Sequence, residues 1–444
     1  MRVSVIGGAG YVGLVTAVGL AKLGHQVVGV DVNATVVAGL QSGVSPIYEE
    51  GLDDALAACI ASGNLRFTHE LGDETSEADV VFVAVGSPMR ADGSADLAAV
   101  SDVVKNLATL LRGHTVVAVK STVPVGTIAA MRSEFETHGD SVIDLVVNPE
   151  FLSEGSGMWD FFHPSRIIVG TDSARAREVM RDLYAPFLPG GEGISTDLDM
   201  ARDVPLLETT VQDAQIIKYA SNAFLATRIS FINEVAAVCD HLGGDITRVA
   251  EGIGYDPRIG HRYLQAGIGF GGPCLEKDLQ ALIYFAAEHG YKANFLESTL
   301  ARNEEQLNVI VQRARELVGG ELRGKKISVL GLAFKGGTND VRTSLSLRII
   351  HLLMNFGAVV SAHDPVAIEE ARRLAPDIEY AADPYVSAEG ADLVLVLTDW
   401  PEYGELDWSR IAKASNGKSV FDGRNVVDQI ACETAGMAYV AIGR

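Results

Sequence analysis

Residues 5–31 read "VIGGAGYVGLVTAVGLAKLGHQVVGVD", and this stretch most narrows what the chain can become. An apolar strand (Val3–Gly7) runs into glycines at positions 8, 10 and 13, a helical run to Gly24 and a second strand (Gln26–Asp31). Strand, glycine turn, helix and strand in that order predict the first unit of a doubly wound parallel sheet. Gly8, Gly10 and Gly13 give G-x-G-x-x-G, in which glycine permits the tight turn and lets backbone amides approach a pyrophosphate at the helix N-terminus. Asp31, ending the second strand, is placed to hydrogen-bond ribose hydroxyls and to repel a 2′-phosphate. With Val32 and Asn33 following rather than an arginine, the pattern favours NAD over NADP. A bare glycine motif is weak, and an unliganded glycine turn is its bland alternative; the complete context carries the assignment.

At 444 residues the chain exceeds one ordinary core, so two or three domains are expected. Strand-like runs continue at Asp79–Val85, Thr115–Lys120, Val142–Asn148 and Arg166–Gly170, with helical patterns between most of them. From Glu208 to Leu242 there is no proline or glycine, and apolar residues keep helical spacing, which predicts one long helix buried between domains or subunits. After Gly319-Gly320 strands return at Lys326–Gly331, Val359–His363, Leu393–Thr398 and Ser419–Asp422. The expected fold class is therefore α/β: two Rossmann-like doubly wound domains joined by a long central helix and a helical middle domain. The boundaries are 1–205 for the NAD-binding domain, 206–317 for the central, dimerising part and 318–444 for the second α/β domain. "ISVLGLAFKGG" opens the last domain as strand and glycine without the full spacing, so part of a nucleotide suits it better than a second dinucleotide.

Composition removes several function classes. A net charge of −22 argues against nonspecific nucleic-acid binding, although local lysines and arginines can still hold an anionic small molecule. Four scattered cysteines suggest neither a disulfide framework nor a metal site. Apolar runs are too short to span a bilayer, and the N-terminus lacks a signal-peptide core, so no membrane partner and a cytoplasmic location are expected.

Cys274 stands apart from the other three cysteines. It follows Gly271, Gly272 and Pro273 at the start of a helix; Pro273 suits the first helical position and Cys274 then takes the second. The helix dipole and unpaired amides there favour a thiolate. Asp278, four residues on, shares that helix face as proton acceptor or water orienter, while Glu276 in the same turn opposes ionisation. Lys218 and Asn222 form a second pair at the same spacing on the long helix; alone, such a pair is as readily a solvated stripe or an interdomain salt link. "NPEFLSEG" supplies Glu150 and Glu154 beyond a strand end, where open α/β sheets hold their ligands, with capping and turn chemistry as the alternative.

With these residues in view, the chain resembles the UDP-glucose/GDP-mannose dehydrogenase family of nucleotide-sugar 6-dehydrogenases nearly end to end. The resemblance rests on "GAGYVGL", "PIYEEGLDDAL", "KSTVPVGT", "NPEFLSEG", "IIKYASNAFLATRISFINE", "GYDPRIG", "GFGGPCLEKDL", "GLAFKGGTNDVR" and "FDGRNVVD" in collinear order. It implies a four-electron oxidation of a sugar C6 alcohol to the uronate with two NAD, through a thiohemiacetal and a thioester on cysteine. UDP-glucose is the default substrate, with dTDP-glucose and GDP-mannose as alternatives. By the same resemblance Cys274 is the nucleophile, and Lys218 with Asn222 stabilises the oxyanion. Asp278 activates water with Thr122, Glu154 joins the hydrolysis, and Glu150 lies beside the reacting sugar. Cofactor contacts fall to Gly8, Gly10, Tyr11, Val12, Gly13, Asp31, Ser87, Thr122, Glu154 and Arg342. Substrate contacts fall to Glu150, Phe151, Leu152, Ser153, Glu154, Lys218, Asn222, Arg258, Tyr263, Gln265, Gly267, Phe270, Gly271, Phe334 and Lys335. Arg424 joins them, reaching a neighbouring subunit's site, and a homodimer or larger homo-oligomer is implied.

Departures from the family pattern are Pro273 for a serine, Gln215 for a glutamate, Arg228 for a lysine, Val36 for a basic residue and Gln265 for a lysine. Two other readings compete. A two-electron hydroxyacid dehydrogenase would need neither the cysteine nor the third α/β domain, and an inactive nucleotide-sugar-binding regulator would have no use for the retained cysteine, lysine, asparagine and aspartate.

Overall fold

The computed structural model describes residues 1–138, 142–190 and 198–444. Two compact units emerge: Met1–Ser221 with Gln280–Phe285, and Asn222–Leu279 with Ala286–Arg444.

The first unit is built on an eight-stranded sheet ordered β3-β2-β1-β4-β5-β6-β7-β8. Its strands are β1 (Arg2–Ile6), β2 (Gln26–Val30), β3 (Leu65–Thr68), β4 (Val80–Val83), β5 (His114–Val119), β6 (Val142–Val147), β7 (Ile167–Gly170) and β8 (Leu206–Thr209). The sheet is covered on both faces, which is why β4 can be four buried apolar residues without alternation. Val80 and Phe82 join the apolar layer on one face, and Val81 and Val83 the layer on the other. The expected all-parallel sheet needs one correction: β6 meets β7 antiparallel, through the single pair Val147 and Gly170.

The second unit carries a six-stranded parallel sheet ordered β11-β10-β9-β12-β13-β14. Its strands are β9 (Lys326–Leu330), β10 (Val359–His363), β11 (Glu379–Tyr380), β12 (Leu393–Val396), β13 (Ser419–Asp422) and β14 (Ala438–Ala441). Leu393 and Leu395 pack into one layer, Val394 and Val396 into the other. In both sheets the first strand has the second on one side and the fourth on the other, so the order in which strands are added reverses beside β1 and beside β9, leaving a crevice at the carboxyl ends.

β3, β8, β11 and β14, which the sequence does not announce, are the four sheet edges. An edge strand buries only part of its surface and needs no continuous apolar run; β3 alternates buried Leu65 and Phe67 with exposed Arg66.

The long helix spans Val211–Leu242, 32 residues, rather than starting at Glu208. Leu206–Thr209 is spent on β8, and Thr210 then caps the helix by accepting the Asp213 amide at 3.1 Å. Among the described residues, no helix is long and apolar enough to cross a membrane.

The glycines after β1 do different work. Gly7 adopts φ +84°, which lets its amide and that of Gly8 both reach Val30 O at 2.8 and 3.0 Å. A Cβ on Gly13 would stand 2.0 Å from Gly7 O, whereas one on Gly10 would meet nothing closer than 3.4 Å. Gly13→Ala is therefore expected to cost about 1–3 kcal/mol through overpacking, and Gly10→Ala to leave stability unchanged. Denaturant unfolding of both variants checks this, and equal midpoints would contradict it.

Candidate active site

The carboxyl ends of the first sheet gather the expected cofactor residues. Asp31, directly after β2, accepts the Ala9 amide on Oδ2 at 3.2 Å and the Asn33 amide on Oδ1 at 3.1 Å, so its carboxylate is oriented by the glycine loop. Gly10 is exposed at the helix start, while Val12 is half-buried and packs against the core. Ser87, beyond β4, donates its hydroxyl to Thr122 O beyond β5 at 2.8 Å, bringing those two expected contacts together. An exposed Gly10, a strand-end carboxylate and the order 3-2-1-4-5-6 in the first six strands fit a dinucleotide.

Tyr11 is drawn inward. Its hydroxyl donates to Glu49 Oε2 at 2.8 Å and to Ser153 O at 3.0 Å. Burial, followed by the Glu49 charge, pushes that phenol far above its ordinary range. Glu49, buried and overlooked in the sequence, also accepts the Gly155 amide at 2.8 Å and the Met158 amide at 3.3 Å. One carboxylate thus ties the cofactor-loop tyrosine to the segment carrying Leu152, Ser153 and Glu154, all half-buried. Ser153 is further fixed by its amide on Asp160 at 2.9 Å.

Lys218 is not a solvated stripe. Its side chain is 5% exposed, and Nζ donates to Glu150 O at 2.8 Å and Glu150 Oε1 at 2.9 Å. Glu150 Oε2 takes the Leu152 amide at 2.6 Å. Burial alone would raise the Glu150 carboxyl, but Lys218, that amide and Lys120 hold it below the usual carboxylate range. Lys120 is a second buried cation, one the sequence passed over; burial pushes its ammonium down to about 8 despite the attraction of Glu150. Phe151 serves as a platform, with the Arg166 guanidinium 3.7 Å and Lys218 Nζ 5.4 Å from its ring centroid. Gln215 also gains a reason: its amide donates to Val123 O at 3.0 Å and Pro124 O at 2.5 Å, which an ionised glutamate could not do.

In the second unit the thiol of Cys274 is exposed. The helix it opens spans Leu275–Glu288, and Cys274 O accepts the Asp278 amide at 2.9 Å, so Cys274 is the cap residue rather than the second helical residue. Pro273 precedes the cap. Asp278 is 1% exposed with both oxygens engaged, by Asn222 Nδ2 at 2.6 Å and Lys277 Nζ at 2.5 Å. An amide has two N–H groups, so Asn222 can hold Asp278 with one and offer the other to an oxyanion.

The glycine-rich loop before the thiol is fastened by buried amides on helices. Asn233 takes the Gly267 amide at 2.8 Å, Gln306 donates to Gly267 O at 2.7 Å, and Asn303 holds both the amide and the carbonyl of Phe270 at 2.8 and 2.9 Å. Phe270 itself is 3% exposed and packs inside the unit. Cβ atoms on Gly271 and Gly272 would stand 2.7 Å from Thr343 O and from the Phe334 ring, so this loop lies flat on the turn after β9. Tyr263 is half-buried with φ +62°, and Gln265 is exposed.

At the carboxyl ends of β9, β12 and β13, Arg424 Nε donates to Leu397 O at 2.8 Å and Nη2 to Phe334 O at 3.1 Å. These two bonds fasten the Arg424 guanidinium to backbone carbonyls of its own unit. Lys335 lies 5.8 Å from the Phe334 ring centroid, half-buried. Asp399, also unforeseen, takes the Gly336 amide at 2.8 Å; burial would raise its carboxyl, but Arg424, that amide and Lys335 keep it low. A cleft of about 240 Å³ opens here, lined by Thr247, Glu251, His261, Gln265, Arg424 and Asn425 among others. Arg258 and Arg342 stand out, with side chains 87% and 64% exposed. Among the described residues no cluster of His, Cys, Asp or Glu could hold a metal ion.

The Glu150–Lys218 pair makes a pH-dependent prediction. A carboxyl lowered in the folded state stabilises above its unfolded pKa of about 4.3 and stops doing so as pH falls through the folded value. Glu150→Gln, which leaves a buried ammonium without its counter-charge, should cost about 3–5 kcal/mol near neutrality. The gap from wild type should hold from pH 7 to about pH 4.3 and then narrow as pH falls further, through the folded value. A gap of constant size would contradict the pairing.

Three family models of the UDP-glucose/GDP-mannose dehydrogenases match in order: the NAD binding domain over residues 1–188, the central domain over 212–305 and the UDP binding domain over 328–429. A UDP-glucose 6-dehydrogenase of Rhizobium meliloti strain 1021 is 41% identical over 448 residues, covering 100% of both chains. One of Bacillus subtilis strain 168 is 40% identical over 446 residues, covering 100% of this chain and 93% of its own. Among solved structures, a UDP-glucose dehydrogenase from the hyperthermophilic archaeon Pyrobaculum islandicum superposes with a TM-score of 0.90 at 39% identity, covering 99% of this chain and 97% of its own. The chain belongs to the UDP-glucose/GDP-mannose dehydrogenase family, as an NAD-dependent oxidoreductase with a nucleotide-sugar-binding domain.

Proposed function

We propose that this enzyme oxidises the C6 alcohol of UDP-glucose to the carboxylate of UDP-glucuronate, through intermediates held on Cys274. The observation that carries this reading is the start of the helix Leu275–Glu288. An exposed cysteine stands at its cap position, and a buried aspartate four residues on is bound to an asparagine of the long helix. A two-electron alcohol dehydrogenase has no use for that thiol.

When bound over Gly10, Asp31, Ser87 and their neighbours, NAD supplies the hydride acceptor for both oxidations. The protein residues do the rest. Lys218 Nζ and the remaining N–H of Asn222 donate to the C6 oxygen, favouring loss of its proton as the alcohol becomes an aldehyde. The Cys274 sulfur adds to C6, forming a C–S bond and placing an alkoxide on oxygen, which the same donors stabilise. Loss of a second hydride turns this thiohemiacetal into a thioester. Water, oriented by Asp278 and Thr122 with Glu154, attacks C6; the C–S bond breaks, the thiolate leaves and the carboxylate is released. Glu150 keeps Lys218 in place throughout.

Phe151 to Glu154, Arg258, the 263–271 loop, Phe334, Lys335 and Arg424 supply the nucleotide-sugar contacts, and Arg342 reaches the cofactor. Residues 1–205 serve the cofactor, 206–317 the dimer and 318–444 the nucleotide. A homodimer built on the long helix is supported by Phe224, Phe231 and Val238, seven residues apart and 62%, 54% and 50% exposed. A cytoplasmic location completes the proposal.

Taken to completion, wild type should form two NADH per UDP-glucose, and Cys274→Ser should lose turnover by several orders of magnitude. One NADH per sugar, indifferent to the substitution, would sink the thiol mechanism. The same assay with dTDP-glucose and GDP-mannose tests the choice of sugar nucleotide.

A further inference from the structure

Glu154 is held through the peptide groups on both sides of it. The Ser153 carbonyl accepts the Tyr11 hydroxyl at 3.0 Å, and the Gly155 amide donates to Glu49 Oε2 at 2.8 Å. Glu49 Oε2 also accepts the Tyr11 hydroxyl at 2.8 Å, so one hydroxyl and one carboxylate oxygen close a ring around the Glu154 backbone. The other oxygen, Oε1, takes the Met158 amide at 3.3 Å, in the first turn of the helix Gly157–Phe162. Asp160 of that helix adds a local brace, accepting the Ser153 amide at 2.9 Å and the Ser156 hydroxyl at 3.1 Å.

The helix that Tyr11 opens, Tyr11–Lys22, is fitted to this segment at two points. A Cβ on Gly157 would stand 2.2 Å from the Tyr11 hydroxyl oxygen, and one on Gly19 would stand 2.3 Å from the Phe161 ring. Each helix thus sets an aromatic side chain on a glycine of the other, which fixes how far one can slide along the other. Tyr11 directly follows Gly10, so placing its side chain also places the end of the glycine loop. Glu49 itself comes from elsewhere, the loop between the helices Ala34–Gln41 and Leu52–Ala61. Ile47 and Leu52 anchor that loop in the apolar layer on either side of it.

Burying a carboxylate is costly, and the three donors converging on this one are what make it tolerable. The residue type follows from the donors. A carboxylate accepts at both oxygens, whereas an amide of the same shape must turn an N–H toward the Gly155 or the Met158 amide. Burial, then the charges of Glu49, Glu154 and Asp160, raise the Tyr11 phenol, which therefore keeps its proton and remains a donor.

We propose that Glu49 is a positioning residue for the cofactor site: it fixes the backbone around Glu154 against the helix that opens at Tyr11, so that both are in place before NAD arrives. This rests on the assignment of Tyr11 and Glu154 to the cofactor given above, and every residue it joins belongs to the first unit. Without the carboxylate, NAD itself must order residues 153–158, which weakens its binding about three- to tenfold. Removing a negative charge would by itself favour an anionic ligand, so weaker binding in a neutral variant reports geometry and not charge.

Calorimetric titration of the full-length enzyme with NAD and, separately, with UDP-glucose tests this. Glu49→Gln should weaken NAD about three- to tenfold and leave UDP-glucose within about twofold. Hydrogen exchange without NAD should find residues 153–158 protected in wild type and exchanging about tenfold faster or more in Glu49→Gln, with β4 unchanged. Unchanged NAD affinity, or unchanged exchange over 153–158, overturns the proposal. Equal loss of both affinities means general loosening and overturns it too, as does free exchange of 153–158 in wild type without NAD. If Glu49→Gln does not fold, Glu49→Asp, whose carboxylate is one methylene short of the same contacts, is read in the same way. Glu154→Gln separates the proposal from the assignment beneath it. If that variant weakens NAD while Glu49→Gln does not, the positioning role alone fails; if it binds NAD as wild type does, the cofactor assignment of Glu154 fails and the proposal with it.

Discussion

A buried ammonium sets the conditions that much of the first unit meets. Lys218 and Glu150 have side chains 5% and 8% exposed, so each is tolerable only while the other stays in reach. The lysine must rise from a helix begun at the right residue, which Thr210 secures by capping it directly after β8. The glutamate must hang at the right height beyond β6. That height is fixed by Asn148, which donates to Ile168 O at 2.8 Å and accepts the Tyr184 hydroxyl at 2.7 Å, and by Glu49 at the far end of the same segment. An electrostatic requirement at one contact thus becomes a geometric requirement on a strand end, a loop and a helix start. A cation kept charged in a dry site is also what a developing alkoxide needs.

The second unit solves the same positioning problem with neutral groups. Asn233, Asn303 and Gln306 are 2%, 3% and 1% exposed and spend their amides on the backbone of the loop that leads to Cys274. Buried amides satisfy a loop whose own peptide groups would otherwise be stranded without partners. The two sheets share a strand order but not a ligand, and one carboxylate explains the difference. Asp31 follows β2 and holds two loop amides. Asp364 follows β10 in the same place, yet it is 1% exposed and takes four backbone amides and the Trp400 indole. No face of that carboxylate is left for a ribose, which suits a domain that takes only part of a nucleotide.

Central strands and the glycine turn were legible in the sequence because burial on both faces writes an unbroken apolar run and close backbone approach writes a glycine. The four edge strands were not, since an edge such as Glu379–Tyr380 needs only two residues in register. Cys274, Asp278, Lys218 and Asn222 stood out through residue type and spacing, although the helix begins one residue after the thiol rather than one before it. Glu49, Lys120 and Asn303 left no local mark. Glu49 and Asn303 hold backbone more than thirty residues away in the chain, and Lys120 is buried beside charges brought in by other elements. Contacts of that range are products of the fold and have no signature within a window of sequence.

The central claim is that carbon becomes covalently bound to Cys274 during turnover. Intact-protein and peptide mass spectrometry, on Asp278→Asn enzyme quenched in acid after mixing with UDP-glucose and NAD, addresses it directly. With water activation impaired, the account predicts a peptide containing Cys274 that carries the mass of the nucleotide sugar less four hydrogens, and that is discharged by hydroxylamine as a thioester must be. Unmodified Cys274 in enzyme that still turns over would contradict the account.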